Sequence, residues 1–181
     1  MSQTATTIKI LNSLPNTKGG LLLAEKILKA DFEETYRNYC DTVYKIAFIH
    51  IKKPDDSNDI VQEVFLKYHL TKKSFADEKE KEAWLIRSAH TATMDYFRTK
   101  MRKEIRIKDM EKMHLPFEID DTLAILLTMP DKFRTPMFLH YSEGYSAEEI
   151  AKILHKSVSG IKSNLEHGKQ HLDKKLGGEV R

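Results

Sequence analysis

Large apolar side chains recur along most of this chain at helical spacing. Phe32, Tyr36, Tyr39, Val43, Ile46 and His50 return every three or four residues. That spacing predicts an amphipathic helix from Asp31 that stops before Pro54, because a residue preceding proline is pushed out of the helical region. Asp55, Asp56 and Ser57 offer N-caps for a second helix over 57–68. Its Ile60, Val61, Val64, Phe65 and Tyr68 fall on one side, leaving Asp59, Gln62, Glu63 and Leu66 outward. After a polar stretch from Thr71 to Lys81, a third long helix carries the seam Leu85, Ala89, Ala92 and Tyr96. Arg87, Thr91, Met94 and Arg98 share the opposite face at i, i+4, i+7 and i+11.

The second half is punctuated differently. Pro116 lies in a stretch that reads as a linker, and Asp120 or Asp121 caps a helix running through Leu127 until Pro130 closes it. Thr135-Pro136 reads as a cap followed by a first-turn proline, opening a helix to about Ser142. Gly144 then breaks the chain, and Ser146-Ala147-Glu148-Glu149 is a capping box for a helix through about Leu154. A short polar turn, His155–Ser157, leads into a last helix to about Leu176. Two helices across so short a turn form a helix-turn-helix pattern. Val158, Ile161 and Leu165 are expected to face inward, and Ser159, Lys162, Ser163 and Glu166 outward, where such a motif meets base edges. An ordinary antiparallel helix pair with a solvated lysine face is the plainer alternative.

The predicted fold is therefore all-α, in two small helical domains at 31–106 and 119–176. A linker at 107–118 joins them, with an N-terminal extension at 1–30 and a tail at 177–181. Within the extension, Gly19-Gly20 precedes a short amphipathic piece, Leu21–Leu28, expected to be loosely attached.

Composition supports the helical reading. Seven glycines, five prolines and five valines in 181 residues leave little for hairpins or strands. The single cysteine, Cys40, excludes an internal disulfide and a Cys-rich zinc framework; on the inner side of the first helix it reads as a packed thiol. No apolar run approaches the about 18 residues needed to span a bilayer, and no basic leader opens the chain, so a cytoplasmic protein without membrane insertion is expected. The formal charge of +3 hides an uneven distribution. Residues 98–108 carry a net +5 and residues 152–176 a net +4, one basic segment late in each half. The acids on helix 57–68, beside an outward leucine, suit a protein partner better than plain solvent.

These segments resemble a known family. Asp59-Ile60-Val61-Gln62-Glu63-Val64-Phe65-Leu66 is similar to the core-polymerase-binding segment, region 2.2, of bacterial extracytoplasmic-function (ECF) sigma factors. Trp84-Leu85, Arg87, Ala89, Asp95 and Arg98 match that family's region 2.4 at the same spacing, and Phe75 falls where the family usually has phenylalanine. Met129-Pro130, Arg134, Glu143-Gly144-Tyr145-Ser146, Glu149-Ile150-Ala151, Leu154 and Gly160-Ile161-Lys162-Ser163 resemble region 4. The resemblance covers 31–176. It implies a specificity subunit and not an enzyme, with core RNA polymerase, promoter DNA and an anti-sigma factor as partners. Asp59, Gln62, Glu63 and Leu66 would dock on core polymerase. Phe75, Arg87, His90, Thr91, Met94 and Arg98 would meet the −10 element. Ser159, Lys162, Ser163, Glu166 and His167 would meet the −35 element.

This chain departs from the family pattern at several of those positions. Thr91 stands where asparagine is frequent, Lys81 where phenylalanine is, and Asn164 and His167 where arginine is common. Each bidentate arginine lost removes roughly 1–3 kcal/mol of base discrimination. Glu166 either accepts from a cytosine amino group or pairs with Lys162 or Lys169 along the helix. His167 and His171 stand at i, i+4, a spacing that suits zinc, but no cysteine completes a tetrahedral set, so neither metal nor cofactor is expected. Two rival readings keep their place. One is a helix-turn-helix regulator without sigma activity, and the other is a polymerase-docking module that has lost promoter readout.

Overall fold

The computed structural model describes residues 13–14, 17–71, 73–99 and 121–176. The expected linker at 107–118, the tail at 177–181 and most of the basic stretch 98–108 lie outside the described residues. In chain order the helices are α1 (Lys18–Ile51), α2 (Pro54–Leu70), α3 (Glu78–Thr99), α4 (Asp121–Thr128), α5 (Asp131–Tyr141), α6 (Ala147–Leu154) and α7 (Val158–Leu176). Among the described residues there is no strand.

α1 is 34 residues long and begins well before Asp31. The piece expected to be a loose extension is instead the first three turns of the same helix. Leu21 through Ala30 are good helix formers, and no breaker follows Gly20 until Pro54. These turns project beyond the core, with Leu21, Leu22, Leu23 and Leu28 all exposed. The other end of α1 is the opposite case. From Val43 to Ile51 every residue except Lys45 is buried, on all sides of the helix. A helix apolar all round must be enclosed, and α1 is enclosed: α2 and α3 pack on it from the first half, α4 and α5 from the second.

Two expected helix starts are corrected. α2 begins at Pro54 with Lys53 as its N-cap and no side-chain cap, because proline at the first position needs no amide partner. Ser57 lies inside the helix and donates its hydroxyl to the Lys53 carbonyl at 2.7 Å. Asp55 and Asp56 sit in the first turn, where the helix dipole favours acids. α5 likewise begins at Asp131, with Pro136 inside it. Thr135 is not a cap: it is buried, and its hydroxyl joins the histidines at 50 and 90.

The second half packs α7 against α5 and α6. Gly144, at φ +77°, makes the turn before α6, and the Ser146–Glu149 capping box is formed in both directions. α7 crosses α5 at Gly168, where a β-carbon would stand 2.6 Å from the Met137 sulfur and 2.7 Å from its Cγ. Gly168→Ala should therefore lower stability by about 1 kcal/mol, although alanine is the better helix former. A thermal midpoint equal to or above that of the parent would show the crossing to be less tight than this.

Candidate polymerase and promoter interfaces

α2 separates its two faces cleanly. Ile60, Val61, Val64, Phe65 and Tyr68 are buried, whereas Asp59, Gln62, Glu63 and Leu66 are exposed together on the other side. Leu66 is 59% exposed, and Leu70, one turn further along the same line, is 68% exposed. Sequence reasoning misses Leu70, although its i+4 spacing from Leu66 is visible in the chain. The acidic stripe thus ends in two bare leucines, exposed apolar area beside like charges.

The inner side of α2 meets a buried aromatic and polar cluster. Phe75 is only 4% exposed, with its ring 6.2 Å from Tyr68 and 5.8 Å from Trp84. It is thus a core residue in this structure and not part of an exposed DNA face, a correction to the sequence reading. Apolar burial under the segment that enters α3 holds it there. Lys81 is also buried, at 3% exposure. Its ammonium donates to the Thr35 hydroxyl at 3.1 Å and pairs with Glu78 at 3.0 Å and Asp31 at 3.6 Å. Tyr68 donates to Asp31 at 2.7 Å and Tyr39 to Glu78 at 3.1 Å, so both carboxylates are held from two sides.

The remaining residues expected at the −10 element do not form one free face. Thr91 and Arg98 are exposed, Arg98 pairing with Asp95 at 2.9 Å, and Met94 is half-buried. Arg87 and His90 instead meet the second half of the chain. The Arg87 guanidinium donates to the carbonyl of Ile153 at 2.7 Å and approaches that of Lys152 at 3.4 Å. It thereby satisfies the Ile153 carbonyl at the end of α6, whereas that of Lys152 also accepts from the His155 amide. His90 Nδ1 lies 3.3 Å from the Thr135 hydroxyl, which lies 2.8 Å from His50 Nε2. Burial, reinforced by the Lys156 charge, pulls the His90 imidazole from 6.5 down to about 4. Thr42 adds a contact to Glu143 at 3.5 Å, and burial raises the Glu143 carboxyl above its usual range. Helical periodicity could not reveal this seam, because it assigns residues to a face without saying what covers that face.

α6 and α7 build the helix-turn-helix. The turn is set by His155, in the left-handed region at φ 52°, and Ser157 caps α7 by accepting from the Gly160 amide at 3.1 Å. Ile161 is fully buried, whereas Val158, expected inward, is 37% exposed because it lies at the very start of the helix. Ser159, Lys162, Ser163, Glu166 and His167 are all exposed. Lys162 pairs with Glu148 of α6 at 2.9 Å, which holds that carboxyl below its usual range. The Lys162 pairing open to Glu166 is thereby taken, and among the described residues no ion pair holds Glu166. His167 stacks on Phe133 of α5, with centroids 6.1 Å apart and planes within 10°. Among the described residues no group of three potential ligands stands close enough to hold a metal, and no helix is long and apolar enough to cross a membrane.

Comparison with known proteins identifies this architecture. Residues 35–103 match the model for Sigma-70 region 2, and residues 119–172 match that for Sigma-70 region 4. The ECF RNA polymerase sigma factor SigW of Bacillus subtilis is 26% identical over 167 residues, covering 81% of this chain and 88% of that protein. RNA polymerase sigma factor SigZ of the same organism is 29% identical over 129 residues, covering 67% and 73%. Among solved structures, the sigma factor RpoE from Bartonella quintana, crystallised with the anti-sigma factor NepR, shares the fold at a TM-score of 0.54 and 21% identity. That match covers 81% of this chain and 97% of the other. The chain belongs to the sigma-70 family of RNA polymerase sigma factors. Within that family it is a factor of the ECF type, a transcription initiation factor that partners core polymerase and promoter DNA.

Proposed function

We propose that this sigma factor docks on core polymerase through the exposed line Asp59, Gln62, Glu63 and Leu66, prolonged by Leu70. It reads the −10 element with α3 and the −35 element with the first turns of α7. The domains that do so are 31–106 and 119–176, joined at 107–118. The observation that carries the reading is the outward face of α2. A helix-turn-helix regulator acting without polymerase needs no acidic stripe closed by two bare leucines, one of them 68% exposed. The acids suit a basic partner surface and the leucines supply apolar area. Thr91, Met94 and Arg98 remain the −10 contacts available from α3, and Arg87 and His90 join them once the seam with α5 and α6 is released.

Such a subunit binds and positions; it carries out no catalysis, and it works in the cytoplasm where polymerase and promoter are. An anti-sigma factor is its expected regulator, as RpoE of Bartonella quintana has NepR.

Reconstitution with sigma-free core polymerase, followed by mapping of transcription starts across genomic DNA, tests the whole reading. Discrete new starts support it. DNA binding without polymerase association would favour a plain regulator, and tight association without promoter-dependent starts would favour a docking module. Gln62→Ala combined with Glu63→Ala should weaken association with core polymerase about tenfold, the order expected from removing two contacts at about 0.5–1.5 kcal/mol each. The fold should be untouched, because both side chains are exposed. Unchanged co-purification of the double variant would count against this face.

A further inference from the structure

With α7 taken as the −35 helix, the bases it selects are set by the polarity of its exposed side chains; the base preference rests on that placement of α7. Ser159 and Ser163 carry hydroxyls that donate or accept and so impose no preference. Lys162 is a donor, but its ammonium is engaged by Glu148 at 2.9 Å. Glu166 is exposed and, ionised, is an acceptor only. His167 is decided by its hydrogen bonds. Its Nδ1 lies 2.8 Å from the backbone carbonyl of Ser163 and 3.2 Å from the Ser163 hydroxyl. A carbonyl oxygen can only accept, so Nδ1 carries the proton. In the neutral ring Nε2 then holds a lone pair and is an acceptor. The stack on Phe133 fixes the ring in that orientation.

We propose that Glu166 and His167 together make the recognition face of α7 an acceptor surface that selects bases presenting an amino group in the major groove. Every base pair shows one such amino group, on adenine N6 or cytosine N4, and opposes it with a keto oxygen of thymine or guanine on the other strand. An acceptor therefore reads which strand carries the amino base. Adenine or cytosine on the contacted strand donates to it, whereas guanine or thymine meets it acceptor to acceptor. An arginine at 164 or 167 would do the reverse and favour guanine O6 and N7. At 167, one of the two positions at which this chain lacks the arginine common in its family, the kind of base that is read is thus changed.

A promoter library randomised through the −35 element, transcribed by core polymerase reconstituted with the full chain, tests this. The expected result is a preference of about fivefold for adenine or cytosine over guanine or thymine at one or two adjacent positions of one strand. His167→Arg should turn the preference at one of those positions to guanine. Glu166→Gln, which presents both a donor and an acceptor, should level the preference at the other. Both sites are exposed, and unaltered melting curves check that neither variant has lost its fold. An amino bias that neither variant moves, or a parent chain with no amino bias at any −35 position, overturns the assignment while leaving the sigma-factor reading intact. No initiation from any library member overturns that reading, and the base assignment with it.

Discussion

Lys81→Ala should destabilise the first half of the molecule by about 3 kcal/mol, one of the two largest effects expected of a single substitution here. Removing one partner of a buried ion pair typically costs about 3–5 kcal/mol, because the partner charge is left without compensation. The lower end applies, since the Asp31 and Glu78 side chains are 24% and 41% exposed and keep some contact with water. What is lost is more than one pair. The ammonium also donates to Thr35, whose hydroxyl lies 3.2 Å from that of Tyr68, and Tyr68 in turn donates to Asp31. The network ties α1, α2 and α3 at one point. Asp31→Asn alone should cost less, because Glu78 still pairs with the lysine. In the double variant the two losses should fall short of additivity by about 1 kcal/mol, as expected for residues in one network. Urea unfolding followed by the fluorescence of Trp84, the chain's single tryptophan, reports on this region, because that ring lies 5.8 Å from Phe75. A Lys81→Ala chain within 0.5 kcal/mol of the parent would mean that the network is decorative.

Lys81 also shows what a sequence can and cannot disclose. Its position is visible as a departure from a family that often has phenylalanine there, but the three partners come from residues 31, 35 and 78. Only the packing of α1 on α3 brings them together. The helices themselves are legible wherever a period of 3.6 and a strong cap coincide. The Ser146–Glu149 box is the best case, since its signal is local and lies within four residues. The outward face of α2 is legible for the same reason. Proline misleads twice, at 54 and 136, because a proline shows where a helix cannot extend its hydrogen bonding without showing how many residues precede it. Phe75 misleads differently. A lone aromatic between helices gives no periodic signal, so nothing local distinguishes a ring that packs inward from one that waits for DNA.

The seam between the halves is the least legible feature, yet the run from Val43 to Ile51 contains its signature. A helix that needs only one buried face does not place Tyr44, Phe48 and Ile51 opposite Val43, Ile46 and His50. The excess of apolar residues is explained once α4 and α5 pack on this helix as well as α2 and α3. The consequence is that Arg87 and His90, on the helix expected to read the −10 element, are engaged with the helix-turn-helix half. Opening the seam and exposing those two residues are one event.

Acid should open that seam. His90 has its imidazole drawn down to about 4, by burial first and by the Lys156 charge second. An exposed or unfolded histidine titrates near 6.5. Between those values the open state binds a proton that the closed state does not, so stability must rise with pH across this window. The contribution is complete above about pH 6.5 and is lost as the pH falls toward 4. Each unit is worth about 1.4 kcal/mol, which makes the loss about 2 kcal/mol by pH 5 and up to about 3 kcal/mol at the lower limit. The groups around His90 reinforce the direction. Lys156 repels a second positive charge, and the Thr135 hydroxyl is already shared with His50. The Asp131 carboxylate lies 3.9 Å from His50 Nδ1 rather than at His90. Hydrogen exchange of the α5 and α6 amides, corrected for the intrinsic pH dependence of exchange, should therefore accelerate between pH 7 and 5 by about thirtyfold. His90→Phe removes the titrating group while keeping a ring of similar size, and because burial raises the Glu143 carboxyl, which favours the closed state in acid, its corrected exchange should no longer accelerate over the same interval. A parent chain whose exchange in α5 and α6 does not respond to acid, or a His90→Phe chain that responds equally, would place the linkage elsewhere.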